Sequence, residues 1–575
     1  MTTVAVLGRG VLGAATAYHL TKLGARVVCV DGGPLGGSAT ARSAGLVLHA
    51  SSPAKAACTV QTLADIAQLD AEQAALGTAG EGPVGFVKTG MVRVASTPAE
   101  LDRLRREMEM VSGGAYSAVH WLHTASQVSA AVPWLTLPQG ATACVVEMDG
   151  MVDPVVLAGR YWRAARQAGA VHVPHDAVAL LHTAVTPAPT ALATAAPASP
   201  AFLATPTTPT PPQLQPPTET TPQQPHQTIH HHQQNGGRKV VGVVLADSGE
   251  EIPCDYCIDA TGSWAGSLAE AAFGTAPLPM AATRSHYWTA KAPPQYFPTS
   301  SAMVLIPAAR WYSRPTHTAG EAIVGLQEEI SPTWSRAELE SPAQMHSSSS
   351  GGGSSASVHG PAGDCWSAGC AVLPSMSGGR EAAHDAAAAD SAQAAELFLG
   401  GLDMLAPYVV PELLESLTLP HYTAGLTTYT PDGGYLIGKL PCPAAPDGYS
   451  ILSGCNGSGL SSAGGLGLLA AKEALHSLAA QCSAGAGAGA GAGADADAGH
   501  ADAGADPYDL STSYAKALEG WSIGRPTVQL KFCSSGSGDV GAGGPAVGTA
   551  AYRKICSMAR AGKFGAAALS ERERG

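Results

Sequence analysis

Val4-Ala-Val-Leu7, Gly8-Arg9-Gly10-Val11-Leu12-Gly13, Ala14 to Leu23, Gly24, and then Arg26-Val-Val-Cys-Val30-Asp31 decide the fold. A short apolar strand enters a glycine-rich turn. The next ten residues place Ala17, Leu20 and Leu23 at helical spacing, and Gly24 stops the helix. A second apolar strand follows and ends on an acid. The glycines differ in physical role. Gly8 permits the tight turn, Gly10 lets backbone approach a pyrophosphate, and Gly13 allows close packing of helix on strand. The helix N-terminus offers free N–H groups and positive potential to phosphate, and Asp31 can accept ribose hydroxyls. Strand, turn, helix, strand and acid together predict a Rossmann-like dinucleotide site.

Composition limits what surrounds that site. The 575 residues include 68 Gly and 42 Pro, well above the roughly 12% of average usage. No Gly-X-Y period runs through the chain, and 45% hydrophobic content suffices for a core. One packed body interrupted by low-complexity inserts is therefore expected. The inserts fall at 183–238 (Thr/Pro runs, then His230-His231-His232), at 333–392 (Ser347 to Gly353 and an Ala-rich run) and at 483–575 (Ala-Gly alternation). The first interrupts a β-meander between Leu181 and Lys239, where a hairpin tip tolerates insertion.

A net charge of −13 gives no basic field for nucleic acid. Arg9, and further on Lys472 and Glu473, interrupt the apolar segments, so no membrane span is expected. The chain enters a strand at Val4 without a basic leader, which makes a cytoplasmic location the default expectation. The twelve Cys are scattered, as in a reduced compartment, and Cys254-Asp-Tyr-Cys257 reads as buried strand thiols. No metal site is predicted. Two helix starts are legible: Thr97-Pro98 begins one that runs through about Ser112, and Asp153-Pro154 begins another.

An acid at the end of the second strand fits NAD or the AMP half of FAD equally. The following loop favours the longer cofactor. Gly32, Ser38, Thr40, Arg42, Ser43, Ala44 and Gly45 set small residues and hydroxyls beyond the ribose, with a second glycine-rich approach. Cys257-Ile-Asp259-Ala260-Thr261-Gly262-Ser263-Trp264 brings a strand to a turn able to lie against a cofactor. Near the C-terminus, Ala424-Gly425 through Thr430-Pro431-Asp432-Gly433 and then Gly454-Cys-Asn-Gly457-Ser458-Gly459-Leu460 run into a helix predicted over 461–479.

On these motifs the chain resembles the D-amino-acid oxidase superfamily of FAD-dependent oxidoreductases, which includes glycine oxidase, sarcosine oxidase and dimethylglycine dehydrogenase. The resemblance implies an α/β fold with a Rossmann-like FAD-binding domain and an α+β, mainly antiparallel substrate domain. The first is expected over 1–85, 150–182, 239–275 and 420–482, the second over 86–149 and 276–419. It implies cofactor contacts from Gly8, Gly10, Val11, Leu12, Gly13, Asp31, Gly32, Ser38, Thr40, Arg42 to Gly45, Ala177, Thr261, Gly262, Trp264 and Gly457 to Leu460. Within Arg284-Ser-His-Tyr-Trp288 it marks Tyr287, and less strongly His286, as substrate-side groups. In the hairpin Trp311-Tyr312-Ser313-Arg314 it marks Arg314 as a partner for an amino-acid carboxylate. Without the resemblance, the His/Tyr/Trp alternation is ordinary sheet packing and Arg314 a solvated hairpin residue.

Relatives that tether their flavin use a Cys where Gly425 stands, or a His where Arg42 stands, so noncovalent FAD is implied. The implied reaction is oxidation of a C–N bond in a small amine or amino acid, with oxygen or another acceptor taking the electrons. Two alternatives stay open: a 2-hydroxy-acid dehydrogenase of the same fold, and a flavin-binding protein without turnover.

Overall fold

The computed structural model describes residues 2–33, 35, 39–49, 52–76, 84–113, 119–182, 238–246, 248–275, 277–326, 333–334, 396–430, 432–440 and 445–486. Ser38 and nearly all of the three inserts lie outside the described residues.

Strand β1 (Thr3–Leu7) is enclosed in a six-stranded sheet, ordered Leu436–Gly438, Tyr449–Ser453, Tyr256–Asp259, β1, β2 (Arg26–Val30), Val171–Val173. All neighbours are parallel except the first pair. Strands buried on both faces read as continuous apolar runs, which is why Val4 to Leu7 and Val27 to Val30 lack alternation. The crossover helix α1 (Val11–Lys22) returns the chain from β1 to β2 and packs in one layer with α2 (Pro53–Leu76), α3 (Pro154–Gln167) and α4 (Ala463–Ala486). Small residues let α4 lie close: a Cβ at Gly467 would fall 2.7 Å from the carbonyl carbon of Ala15. A polar knot ties the layer, with Asp65 accepting from Tyr161 at 2.8 Å and meeting His19 at 3.0 Å. Leu23, expected on the buried stripe, is 45% exposed because α1 ends one residue earlier.

The opposite face of this sheet carries the antiparallel meander Ala177–His182, Val240–Leu245 and Glu251–Pro253. Its first two strands flank the 183–238 insert, as expected. Asp153 accepts from the N–H groups of Val155 and Val156 at 2.8 and 3.0 Å and caps α3, with Pro154 in the first turn. Cys254 and Cys257 are both buried, and burial pushes the Cys254 thiol up to about 12.

The second sheet is largely antiparallel. Its long strand β3 (Ala281–Lys291) pairs with β5 (Glu321–Leu326) on one side and with β6 (Thr418–Tyr429) on the other. β5 continues to β4 (Trp311–Pro315), then to Met303–Ile306, Met91–Ala95, Thr142–Val146 and Val119–Leu122. Val87 to Ala95 forms two strands, broken around Gly90. One face of the sheet buries Trp288, Trp311, Val324 and Leu326 with Phe398 in its own apolar cluster. The other face meets the turns of the first sheet.

Candidate functional site

The turn after β1 is sterically exacting. Gly8 has φ +90°, and a Cβ there would stand 2.7 Å from the carbonyl oxygen of Ala260 on the neighbouring strand. Only glycine combines that dihedral with that approach. A Cβ at Gly13 would overlap the carbonyl of Gly8, so α1 starts hard against the turn. Gly10 is the residue preceding α1, with Thr40 Oγ1 beside it accepting from Val11 N at 3.0 Å. Leu12 is buried in the helix-layer core. Asp31 faces the turn, accepting from the backbone N–H of Arg9 and from Gly33 N, the latter at 2.7 Å. Burial is the main influence on its carboxyl and raises its pKa. Gly32 donates to Asp176 at 3.2 Å, and Ala177 follows at the start of the meander.

Asp259 organises the next turn from within. Its Oδ1 accepts from Thr261 N at 3.1 Å and from Thr261 Oγ1, while Oδ2 accepts from Gly266 N at 2.8 Å and Tyr449 Oη at 2.6 Å. Ser453 donates to the Gly262 carbonyl at 2.8 Å, and Trp264 is held through Ser267. Thr261 lies beside Gly8, whose Cβ would fall 3.2 Å from its Cα.

The loop 40–45 reaches from this sheet to the other. A Cβ at Gly425 on β6 would fall 2.8 Å from Cβ of Arg42, so these two positions are neighbours. Ser43 Oγ accepts from Gly45 N at 3.3 Å. Gly45, at φ +78°, would drive a Cβ to 2.4 Å from the Val152 carbonyl. Arg314 Nε donates to the Ala44 carbonyl, and its Nη1 donates to Pro315 O at 2.9 Å and reaches Met151 Sδ at 3.4 Å. Arg314 is 2% exposed, which overturns the solvated-hairpin reading. Burial lowers its pKa to about 10, against the opposing influence of Tyr287, Tyr312 and Asp153.

Strand register explains how these groups meet. Tyr287 pairs with Gly325, which pairs with Tyr312, so the three side-chain directions share one face; Arg314, two residues beyond Tyr312, joins them. The Tyr312 ring lies across Gly325, whose missing side chain makes the space: a Cβ there would sit 1.9 Å from Tyr312 Cζ. His286 points the other way. It is 4% exposed, stacks on Tyr422 at 5.9 Å and meets that hydroxyl through Nδ1 at 2.6 Å. The structure therefore separates His286 from Tyr287 and, of the two hairpin aromatics, sets Tyr312 rather than Trp311 on the face of Arg314; alternation along β4 from Arg314 is the signal that points to it.

The C-terminal turn closes on the same face. Gly457, at φ +78°, would bring a Cβ within 3.6 Å of Tyr429 Oη on β6. Ser458 Oγ lies 2.7 Å from Tyr435 Oη, which lies 2.6 Å from Ser462 Oγ ahead of α4. A Cβ at Gly459 would press on Cys455, and Leu460 is buried in the helix layer. Beside the loop, a second buried arginine joins a charge cluster: Arg93 Nη2 donates to Asp149 at 3.0 Å and to the His49 carbonyl at 2.8 Å, and Asp149 also takes His49 N and Nδ1.

Glycine-lined turns, an acid at the end of the second strand and a facing sheet that bears a buried cation agree with a dinucleotide-dependent oxidoreductase. The chain belongs to the DAO family, described as FAD dependent oxidoreductase, whose model matches residues 3–216 and 223–473. It is 31% identical over 169 residues to glycine oxidase of Geobacillus kaustophilus, a match covering 29% of this chain and 44% of that protein. Among solved structures it is similar to iminodiacetate oxidase from Chelativorans sp. BNC1, at 18% identity and TM-score 0.50, over 82% of this chain and 95% of that one. L-proline dehydrogenase from P. horikoshii matches at 15% identity and TM-score 0.51, covering 82% and 92%. These likenesses establish the fold. Among the described residues, no helix is long and apolar enough to cross a membrane, and no cluster of three or more metal-ligating side chains occurs.

Proposed function

We propose that this FAD-dependent oxidoreductase oxidises the C–N bond of a small secondary or tertiary amine or amino acid carrying a carboxylate, of the sarcosine, dimethylglycine or glycine kind. The observation that carries the reading is Arg314, a buried cation on the one sheet face that meets both the early loop and the closing turn. The guanidinium fork matches a carboxylate bidentately. The similarities to glycine oxidase and iminodiacetate oxidase point to substrates of that chemistry.

The residues fit FAD. Gly8, Gly10 and Gly13 leave the backbone bare where a pyrophosphate would lie, Asp31 would take ribose hydroxyls, and Thr40 to Gly45 with Gly457 to Leu460 would enclose the remainder. With glycine at 425 and arginine at 42, neither tethering side chain is present, which supports noncovalent binding. On this reading the first sheet with its helices and meander is the FAD-binding domain and the second the substrate domain. FAD when bound supplies the two-electron acceptor. Arg314 anchors the carboxylate, the Tyr287 hydroxyl orients the amine end, and the Tyr312 ring helps exclude water. No strong base is needed when the amine arrives neutral; the oxidised product hydrolyses, and oxygen or another acceptor regenerates the enzyme.

Anaerobic mixing with sarcosine, dimethylglycine, glycine, proline, D-amino acids and 2-hydroxyglutarate, followed by visible absorbance, tests the proposal. Bleaching by a carboxylate-bearing amine is expected. Bleaching by 2-hydroxyglutarate alone, or by none of them, refutes it.

A further inference from the structure

A cluster at the edge of the first sheet lies beside the dinucleotide turn without belonging to it. Arg9, between the first two glycines of the turn, sends its guanidinium outward. Nη1 lies 3.2 Å from Nδ1 of His172 on the edge strand, Nη2 donates to Gly33 O at 3.3 Å, and the group lies 5.6 Å over the Trp162 ring of α3. His172 Nε2 lies 2.9 Å from the Asp31 carbonyl oxygen, and the Trp162 ring meets the imidazole edge-on at 5.9 Å.

The two partners fix the imidazole's state. A guanidinium only donates and a carbonyl only accepts, so Nδ1 must carry a lone pair and Nε2 the proton. The bond from Arg9 demands neutral His172, whereas the Nε2–H bond to the Asp31 carbonyl survives protonation. The charged groups around it are Arg9 from the turn, Arg166 from α3 and Asp31 from β2, with Asp176 beyond acting on Asp31. Burial is the largest influence and, with the two arginines, moves its titration to the acid side of the ordinary value. A proton on Nδ1 would break the bond to Arg9 and set two cations in contact. The freed guanidinium has a destination at hand, because the Arg9 backbone N–H already bonds the Asp31 carboxylate.

We propose that His172 is a positioning residue for the dinucleotide turn: neutral, it holds the Arg9 side chain off the Asp31 carboxylate, and protonated, it releases Arg9 onto the carboxylate that would receive the ribose, weakening FAD binding in acid. The inference rests on the reading that FAD lies on Gly8 to Gly13 and Asp31.

The test is the dissociation constant of FAD from the reconstituted full-length protein, measured by flavin fluorescence. From about pH 7.5 downward the wild-type affinity is expected to fall, approaching roughly tenfold per unit of pH once His172 is protonated, the slope of one coupled proton. His172→Gln keeps one donor and one acceptor but cannot titrate, and Arg9→Gln removes the cation; each is expected to hold within about twofold across the same range. A flat wild-type profile, affinity that rises in acid, or a full slope surviving in His172→Gln overturns the proposal, the last assigning the effect to Asp31 itself. If His172→Gln does not fold, the Arg9→Gln profile alone decides. Wild-type protein that binds no FAD at neutral pH overturns the cofactor reading and this proposal with it, whereas normal neutral binding with a flat profile overturns His172 alone.

Discussion

Replacing Arg314 with Met separates a substrate anchor from a structural strut. The wild-type guanidinium is 2% exposed and its pKa is lowered to about 10, so its charge is disfavoured in the fold. At about 1.4 kcal/mol per unit, the drop from the ordinary value corresponds to roughly 3 kcal/mol against folding at neutral pH. Its bonds to Ala44 O, Pro315 O and Met151 Sδ return a similar amount, at about 1 kcal/mol each. The two nearly cancel, so Arg314→Met is expected to change the stability of the cofactor-free protein by less than about 1.5 kcal/mol. Ligand binding is not balanced in this way. A carboxylate that loses two charge-assisted bonds, at about 1.5–3 kcal/mol each, binds roughly 10²- to 10⁴-fold more weakly. Urea denaturation gives the first quantity, and titration of the flavin spectrum with benzoate or acetate gives the second. A variant that loses more than about 3 kcal/mol of stability yet binds carboxylates unchanged would overturn the anchor assignment and make Arg314 a strut of the loop.

Gly325→Ala should displace the Tyr312 ring, because the new Cβ would sit 1.9 Å from Tyr312 Cζ; FAD content is expected to hold while turnover drops, and equal loss of both would contradict the face assignment. Gly8→Ala combines a left-handed dihedral with a Cβ 2.7 Å from Ala260 O, and a loss of about 2–4 kcal/mol together with FAD binding is expected in melting and cofactor-content measurements. Asp149→Asn leaves Arg93 buried without its anion, so denaturation should show a loss of about 3–5 kcal/mol, and a near-neutral result would mean that Glu107 takes over. Acid precipitation should leave the yellow colour in the supernatant, as noncovalent FAD requires; colour retained on the pellet would expose a covalent link.

The features legible in the sequence are local ones. The turn from Val4 to Asp31 can be read directly because each of its elements is set by neighbours in the chain: apolar runs for buried parallel strands, glycines where a Cβ would strike backbone, an acid at a strand end. The cap at Asp153 and the meander around the first insert are legible for the same reason. Whatever depends on register between distant strands came from the packed fold. Alternation puts His286 and Tyr287 on opposite faces, but only the packing of Trp288, Trp311 and Phe398 shows which face is core and which meets the turns. Gly325 gains its meaning from Tyr312 on the adjacent strand, and Gly425 from Arg42, almost four hundred residues earlier in the chain. The burial of Arg314, which separates an anchor from a solvated hairpin, follows from a loop and a strand meeting across two sheets. The Arg9 and His172 bond likewise joins a turn to an edge strand that no spacing rule connects. Such contacts come from how two sheets pack, and short-range patterns of hydrophobicity and backbone preference carry no record of that.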